Sequence, residues 1–363
     1  MYMTTPEQPR WLLRAAGACL LAAAVVFFAL SFTSEGEAPR PPAGRPAGNL
    51  AVVWWNVENL FDADDDPSNP GDDEYTPASW RRWTDELYQL KLQRLAEVLA
   101  DLDGDIVCLA EVENRRVVED LADMLQSRFG KPYPFITHRD SGDERGIDVA
   151  MLSRYEPDRC EWQSPVPGQR DVLLAEFSPD GRKLTVIANH WKSRWDGAAK
   201  SDPIRRREAA AVGARVDRVL AKDPLAAILV TGDFNDDMDG PAVAGELRSS
   251  TNRAAVLSGS ARLYCPQGEL PAAQRGTIYY RAGKVWNTFD SACVSRSMVN
   301  GGSPGAAWRL APGGFMVYRA ERLLTTDGYP RSFRRLKNRE TGRWEYQTGY
   351  SDHLPIRVAL TRP

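Results

Sequence analysis

The chain has 363 residues, 43% hydrophobic and 26% charged, with a formal net charge of -3. This is an ordinary globular composition, long enough for one large domain with a substantial core or for two small ones. The near-neutral balance argues against a protein that grips long nucleic acid through a broad basic face, and no solenoid or propeller repeat is present.

In chain order, Arg10 and Arg14 precede an apolar stretch from Ala15 to Phe32. Basic residues before such a stretch fit a cleaved signal peptide or an uncleaved membrane anchor, with a buried core helix as the third reading. Cys19 lies too early in the stretch to read as a lipid-attachment cysteine. The positive charge on the N-terminal side of the stretch would place the main domain outside the cytoplasm. The Pro/Gly/Ala-rich stretch from Pro39 to Gly48 reads as a tether. The organisation is therefore a leader over 1–33, a linker over 34–49 and one catalytic-sized domain over 50–363.

The domain opens on a strand, AVVWWNVENLFD, whose Asn56 and Glu58 stand two residues apart and so share one face. The acidic loop DADDDPSNPGDDE comes next; its spacing does not match an EF-hand, and it reads as a solvated loop. Thr84 is a plausible N-cap for a helix with Leu87, Leu90, Leu95, Val98 and Leu99 at helical spacing. DIVCLAEVEN is a second buried strand, ending in Glu111, an acid that is costly there unless it binds a cation or pairs. Arg145 and Asp148 in ERGIDVAML lie near these groups in the pattern without an assignable role.

Arg170 opens the run RDVLLAEF, and KLTVIANHWKSR is a further strand ending in Asn189-His190. The segment from Arg194 to Leu220 begins as a loop and continues as a helix, with the cluster Arg205-Arg206-Arg207 reading as a solvated surface or a phosphate-steering patch. Ala226 to Val230 is a buried strand that runs into Gly232-Asp233-Phe234-Asn235, a tight turn presenting a carboxylate and an amide. KVWNTFDSACVS places Asp290 inside another strand, and YSDHLPIRVAL sets Asp352 and His353 before an alternating apolar run. Cys108 and Cys293 read as buried thiols, whereas Cys160 and Cys265 fall in loop-like sequence and could pair in an oxidising compartment. Pattern alone gives α/β or α+β.

The ordered set Asn56/Glu58, Glu111, Arg170, His190, Asp233/Asn235, Asp290 and Asp352/His353 resembles the endonuclease/exonuclease/phosphatase superfamily. That superfamily includes pancreatic deoxyribonuclease, abasic-site endonucleases, inositol polyphosphate 5-phosphatases and neutral sphingomyelinases. The blocks WNVENLFD and NHWKSR are most similar to its bacterial, often exported, nuclease-like members. The resemblance implies a four-layer sandwich, two packed mixed sheets flanked by helices. It further implies one Mg²⁺ or Mn²⁺ ion held by Glu58, Glu111 and Asp352, with Asn56 and Arg170 on the phosphate. By the same resemblance Asp233 orients or deprotonates the attacking water and Asn235 bonds a phosphate oxygen. His190 donates to a non-bridging or leaving oxygen, and His353, paired with Asp290, acts as a base.

The bland readings are strand-end capping for Asn56 and Glu58, a structural ion pair for Glu111 and satisfied core positions for the histidines. Three function classes remain. A metal-dependent nuclease acting outside the cytoplasm leads, with nucleic acid as its partner. A phosphatase or a phospholipase- or sphingomyelinase-type hydrolase of lipid or small phosphoesters is second, and a non-catalytic binding module third. A monomer is expected, touching a membrane only through the leader if that is retained.

Overall fold

The strand at Leu50–Leu60 (β1) is buried on both faces, so it needs a neighbour on each edge and a packed layer on each side. The computed structural model, which describes residues 49–363 except 196, 300–304 and 339–340, supplies both. The leader, and the linker up to residue 48, lie outside the described residues. The remaining strands are β2 (Ile106–Val112), β3 (Phe135–His138), β4 (Asp148–Ser153), β5 (Arg159–Gln163), β6 (Val172–Phe177), β7 (Leu184–His190), β8 (Ile228–Asp233) and β9 (Ser249–Ser250). They continue with β10 (Leu263–Tyr264), β11 (Ile278–Tyr280), β12 (Val285–Asn287), β13 (Asp290–Ser295), β14 (Arg309–Val317), β15 (Phe333–Lys337), β16 (Trp344–Thr348) and β17 (Ile356–Thr361).

One sheet has the order β14-β17-β1-β2-β4-β3 and the other β5-β6-β7-β8-β13-β10-β9. Both are mixed: β1 and β2 are parallel, as are β7 and β8, while β17 and β13 run antiparallel to their neighbours β1 and β8. The sheets meet face to face through β1, β2 and β4 on one side and β6, β7, β8 and β13 on the other. Two hairpins, β11-β12 and β15-β16, stand outside the sheets.

Helices close the outer layers. In α1 (Asp85–Leu102) the Thr84 hydroxyl accepts the Leu87 amide as foreseen, and Asp103 closes the far end in the left-handed region. The Asn114 side chain caps α2 (Arg115–Phe129) in the same way, and Val117, Val118, Leu121 and Leu125 form its buried stripe. On the other sheet α3 (Ala198–Lys222) sets Ala209, Val212 and Val216 against Ile187, Ile228 and Val230. Each such valine contributes roughly 1.5–3 kcal/mol by burial. The expected four-layer sandwich is the observed fold.

Three local readings are corrected. Arg205 is not surface: it is 1% exposed and donates to the Lys192 and Ala198 carbonyls and the Ser201 hydroxyl. Cys265 is buried beside Cys293 and Ser291, whereas Cys160 sits on β5 near Thr137; all four described cysteines are free thiols. Asp290 opens its own strand, because the apolar run before it turns off as β12.

The topology gathers strand ends. His190, last in β7, lies in register with Asp233, last in β8, and Asp233 pairs in turn with Asp290, first in β13. Gly232 makes the β7–β8 approach possible, because a Cβ there would sit 2.4 Å from the Asn189 carbonyl oxygen. Gly232→Ala is therefore expected to destabilise the fold by about 1–3 kcal/mol through overpacking. A urea midpoint unchanged from wild type would contradict this.

Candidate active site

Regular pairing ends where chemistry begins. The register of β1 with β2 breaks between Asn56 and Leu60, and Glu58, Asn59 and Glu111 hold φ of 54°, 59° and 64°. Asn235 repeats this after β8, at φ 46°. Left-handed backbone is costly for these residue types, so surrounding contacts must hold it. The bulge also overturns the expectation that Asn56 and Glu58 share a face. Asn56 turns inward, while the Glu58 carboxylate accepts the Phe333 amide of β15 at 2.7 Å, with Arg334 at 3.8 Å.

Asn56 is the hub. Its amide donates to Glu111 Oε1 at 3.2 Å and Asp233 Oδ2 at 3.0 Å, and its carbonyl oxygen accepts the Glu58 amide at 3.1 Å. One neutral side chain thus ties a carboxylate of the first sheet to one of the second. The other Glu111 oxygen accepts the Asn59 amide at 3.1 Å, and Arg145 donates to the Asn59 side chain at 2.7 Å while standing 3.8 Å from Glu111. Arg145, left without a role by the sequence, is the half-exposed cation on this rim. Asp148 faces away from the cluster, toward buried His138 at 3.5 Å and the Ser141 amide.

Two histidines flank Asp233. His190 Nε2 is 3.7 Å from Asp233 and 3.9 Å from Glu111; His353 Nε2 is 3.8 Å from Asp233 and 4.0 Å from Asp352. Their environments push them apart. Burial, with Arg170, Arg145 and His353 nearby, holds His190 well below the usual range, so its ring is neutral. Burial also opposes charge on His353, but Asp290 and Asp233 outweigh it and hold the ring well above the usual range. His353 Nδ1 contacts Asp290 Oδ2 at 2.6 Å, and the Trp54 indole donates to the other Asp290 oxygen at 2.9 Å. The foreseen His353–Asp290 pair is present. Asp290 and Asp233 together favour the charged form of this ring.

Asp233 itself is buried, and the penalty for charging it there, with Asp290 adding repulsion and His353 opposing, raises it to about 6. Asn235 sits over it through its backbone amide at 2.9 Å and donates its side chain to the Trp191 carbonyl at 3.0 Å. Burial and Asp352 raise Glu58 to about 7.

Arg170, expected on a phosphate, is engaged within the protein. It is 3% exposed, and its guanidinium donates to the His190 and Trp191 carbonyls and to Asp143 at 2.8 Å. It braces the loop after β7 instead. Lys91 is a second brace that the sequence reading missed: fully buried, it donates to the Glu58 carbonyl at 3.1 Å and the Tyr350 carbonyl at 2.8 Å. Its signal was a cation one turn before Leu95, on the apolar stripe of α1. Ser351 completes the tie, donating to the Asn56 carbonyl at 2.7 Å while accepting the His353 amide.

The oxygen-rich rim fits a hard divalent cation. Glu111 accepts hydrogen bonds from the neutral Asn56 and Asn59 amides, with Arg145 3.8 Å away, and Asp352 is one-third exposed at the edge of the cluster. Burial above all raises both Glu58 and Asp233, so each carboxylate is costly to charge in the absence of a cation. The cost of that charge is measurable. With a folded-state pKa of about 6 against an ordinary 3.8, Asp233 has no effect on stability below 3.8 and is fully destabilising above 6. In metal-free protein Asp233→Asn should therefore raise the melting temperature at pH 7.5, by a few degrees for a shift worth roughly 3 kcal/mol at most. The gain should vanish at pH 4; an equal gain at both pH values would refute the assignment.

Comparison with known proteins supports the same reading. No curated protein matches the chain. Among solved structures, D. rerio TDP2 humanized by 14 mutations is similar at 18% identity and a TM-score of 0.52, over 86% of this chain and 99% of that one. D. rerio TDP2 complexed with a single strand DNA product is similar at 15% identity and a TM-score of 0.50, with the same coverage of 86% and 99%. A mannosyl-6-phosphatase of Bacteroides thetaiotaomicron VPI-5482 is similar at 16% identity and a TM-score of 0.50, again over 86% and 99%. At these identities the likeness carries the fold. The profile of the Endonuclease/Exonuclease/phosphatase family, however, matches residues 51–362, and the chain belongs to that family of metal-dependent phosphoester hydrolases.

Proposed function

We propose that the protein is a Mg²⁺-dependent nuclease that hydrolyses phosphodiester bonds outside the cytoplasm. The observation that carries the chemistry is buried Asp233 set 3.7 Å from His190 Nε2 and 3.8 Å from His353 Nε2, with surroundings that favour a neutral His190 and a charged His353. Two groups of opposite protonation around one carboxylate of raised pKa make an acid–base site. Asp233 takes the proton of a water attacking phosphorus in line with the leaving oxygen. His353, steadied by Asp290, donates to the phosphoryl oxygens as their charge grows. His190 offers its Nε2 proton to a non-bridging or leaving oxygen. Asn56 and Asn235 hold Asp233 in place, and Arg145 meets the phosphate at the rim.

Glu111 and Asp352 would hold the cation, with Glu58 adding negative charge behind them. When bound, the ion supplies Lewis-acid stabilisation of charge on phosphorus and the leaving oxygen. An all-oxygen set suits Mg²⁺, or Mn²⁺, better than Zn²⁺.

The nuclease reading over a monoester phosphatase rests on charge. Glu58, Glu111, Asp233, Asp290 and Asp352 crowd the site, which favours a singly charged diester over a dianionic monoester. The location rests on the leader alone, whose Arg10 and Arg14 precede its apolar stretch. No helix among the described residues is long and apolar enough to cross a membrane. The second reading, a sugar- or lipid-phosphate hydrolase, draws on the fold shared with the mannosyl-6-phosphatase.

The deciding assay sets the protein with Mg²⁺ against plasmid DNA, single-stranded DNA, RNA, sphingomyelin and sugar phosphates. We expect turnover of nucleic acid, loss of it in EDTA, and loss of at least about 10²-fold in Glu111→Gln with the fold retained. Activity that survives EDTA would contradict the metal assignment, and preference for sugar phosphates would move the protein to the second reading.

A further inference from the structure

We propose that the exposed indoles of Trp80 and Trp344, with Arg335 beside them, form a track that binds the bases and phosphates of a single-stranded nucleic acid next to the bond being cut. The inference rests on the nuclease reading above and names the form of its substrate.

Its support starts inside the site. Tyr75 stacks on Phe61 at the end of β1, with centroids 3.9 Å apart, and lies within electrostatic reach of Glu111 and Arg145. The Arg81 guanidinium lies over Tyr75 and over Trp80, 4.5 Å from each ring, and is held there by Glu74 at 2.9 Å, so it fixes the Trp80 ring in place. Trp80 meets Trp344 of the β15-β16 hairpin edge to face, with centroids 6.0 Å apart. Arg335 stands 5.9 Å over the Trp344 ring and also donates to the Trp80 carbonyl.

Its outer end is open. Trp80 is 48% exposed and Trp344 is 51% exposed, although Trp83, Phe333 and Tyr346 pack against one another beneath the hairpin. The hairpin is fixed to the catalytic cluster through the Phe333 amide on Glu58, and to the Trp80 loop through Tyr346, which donates to the Arg81 carbonyl at 2.9 Å. These indoles are thus held on a rigid base, not left loose at a loop tip.

Charge and shape select the occupant. Exposed indoles interleaved with guanidinium groups suit a ligand whose flat rings alternate with anions, which is a single strand with unstacked bases. A duplex hides its base faces, and a small sugar phosphate has no flat aromatic ring to stack on an indole. Arg331, Lys337 and Arg343 lie exposed on or beside the same hairpin, with Glu345 also exposed on it, so its outer surface is charged and not the apolar tip that a bilayer-entering hairpin presents.

The test compares full-length wild type with Trp80→Ala/Trp344→Ala and Trp80→Phe/Trp344→Phe on two substrates with Mg²⁺. Single-stranded oligothymidylate spans the track; bis(p-nitrophenyl) phosphate occupies only the catalytic cluster. We expect the alanine pair to lower kcat/KM on the oligonucleotide at least about 10-fold, chiefly through KM, since each base stack contributes appreciably. Turnover of the small diester should stay within about twofold, and the phenylalanine pair should keep most of the oligonucleotide affinity. An oligonucleotide KM unchanged in the alanine pair overturns the track while leaving the nuclease reading intact. Equal losses on both substrates, or a defect confined to binding of anionic phosphatidylglycerol vesicles, likewise overturn it. A wild type that hydrolyses the small diester but no nucleic acid removes the nuclease reading itself, and the proposal with it.

Discussion

Bringing negative charge from two sheets to one point is the constraint on which this structure depends. Glu111 stands next to the last residue of a strand of one sheet and Asp233 ends a strand of the other, and the Asn56 amide reaches both. Without such a neutral bridge, two acids facing each other across a sandwich would repel in a medium of low dielectric. Trp54 performs the same service for Asp290, donating from β1 to an acid on β13. The apolar faces of the sheets supply the binding between layers, and these few polar ties set where the layers stop being core and become a site.

The cost is concentrated in the backbone. Glu58, Asn59, Glu111 and Asn235 all adopt left-handed backbone, which packing must stabilise from outside. Lys91 and Ser351 tie the β1 bulge to the segment that carries His353, and Arg170 ties the loop after His190. None of the three needs to touch substrate. They explain why so much buried charge lies behind a site whose reacting groups are few: strained turns aim the reacting groups, and a second set of polar ties holds the turns. The same logic accounts for Asp233, whose buried charge is costly to the fold and whose raised pKa suits the base role proposed for it.

Much of this was legible in the sequence. Buried strands show as apolar runs and turns as glycine-bearing breaks, so the ends carrying Asn56, Glu111, His190, Asp233 and His353 could be found, and the resemblance then set them in one site. What could not be read was direction. Period-two alternation put Asn56 and Glu58 on one face, but the bulge that separates them depends on contacts made by Lys91 and Phe333, far away in the chain. Arg170 was expected on a phosphate and Arg205 at the surface, yet backbone carbonyls buried with them satisfy their donors. The protonation of His353 was also hidden, since it depends on both Asp290 and Asp233 lying within 4 Å of one ring.

The proposed chemistry needs that ring to be a cation beside Asp233 while its counterpart, His190, is neutral. With only three histidines in the chain, ¹⁵N nuclear magnetic resonance titration of the imidazoles, with and without Mg²⁺, measures this directly. His353 should keep both ring protons well above pH 6.5, the ordinary midpoint, and His190 should stay singly protonated well below it. A His353 ring that loses its proton at or below pH 6.5 in both states would contradict the account, and would return that residue to the role of a neutral base.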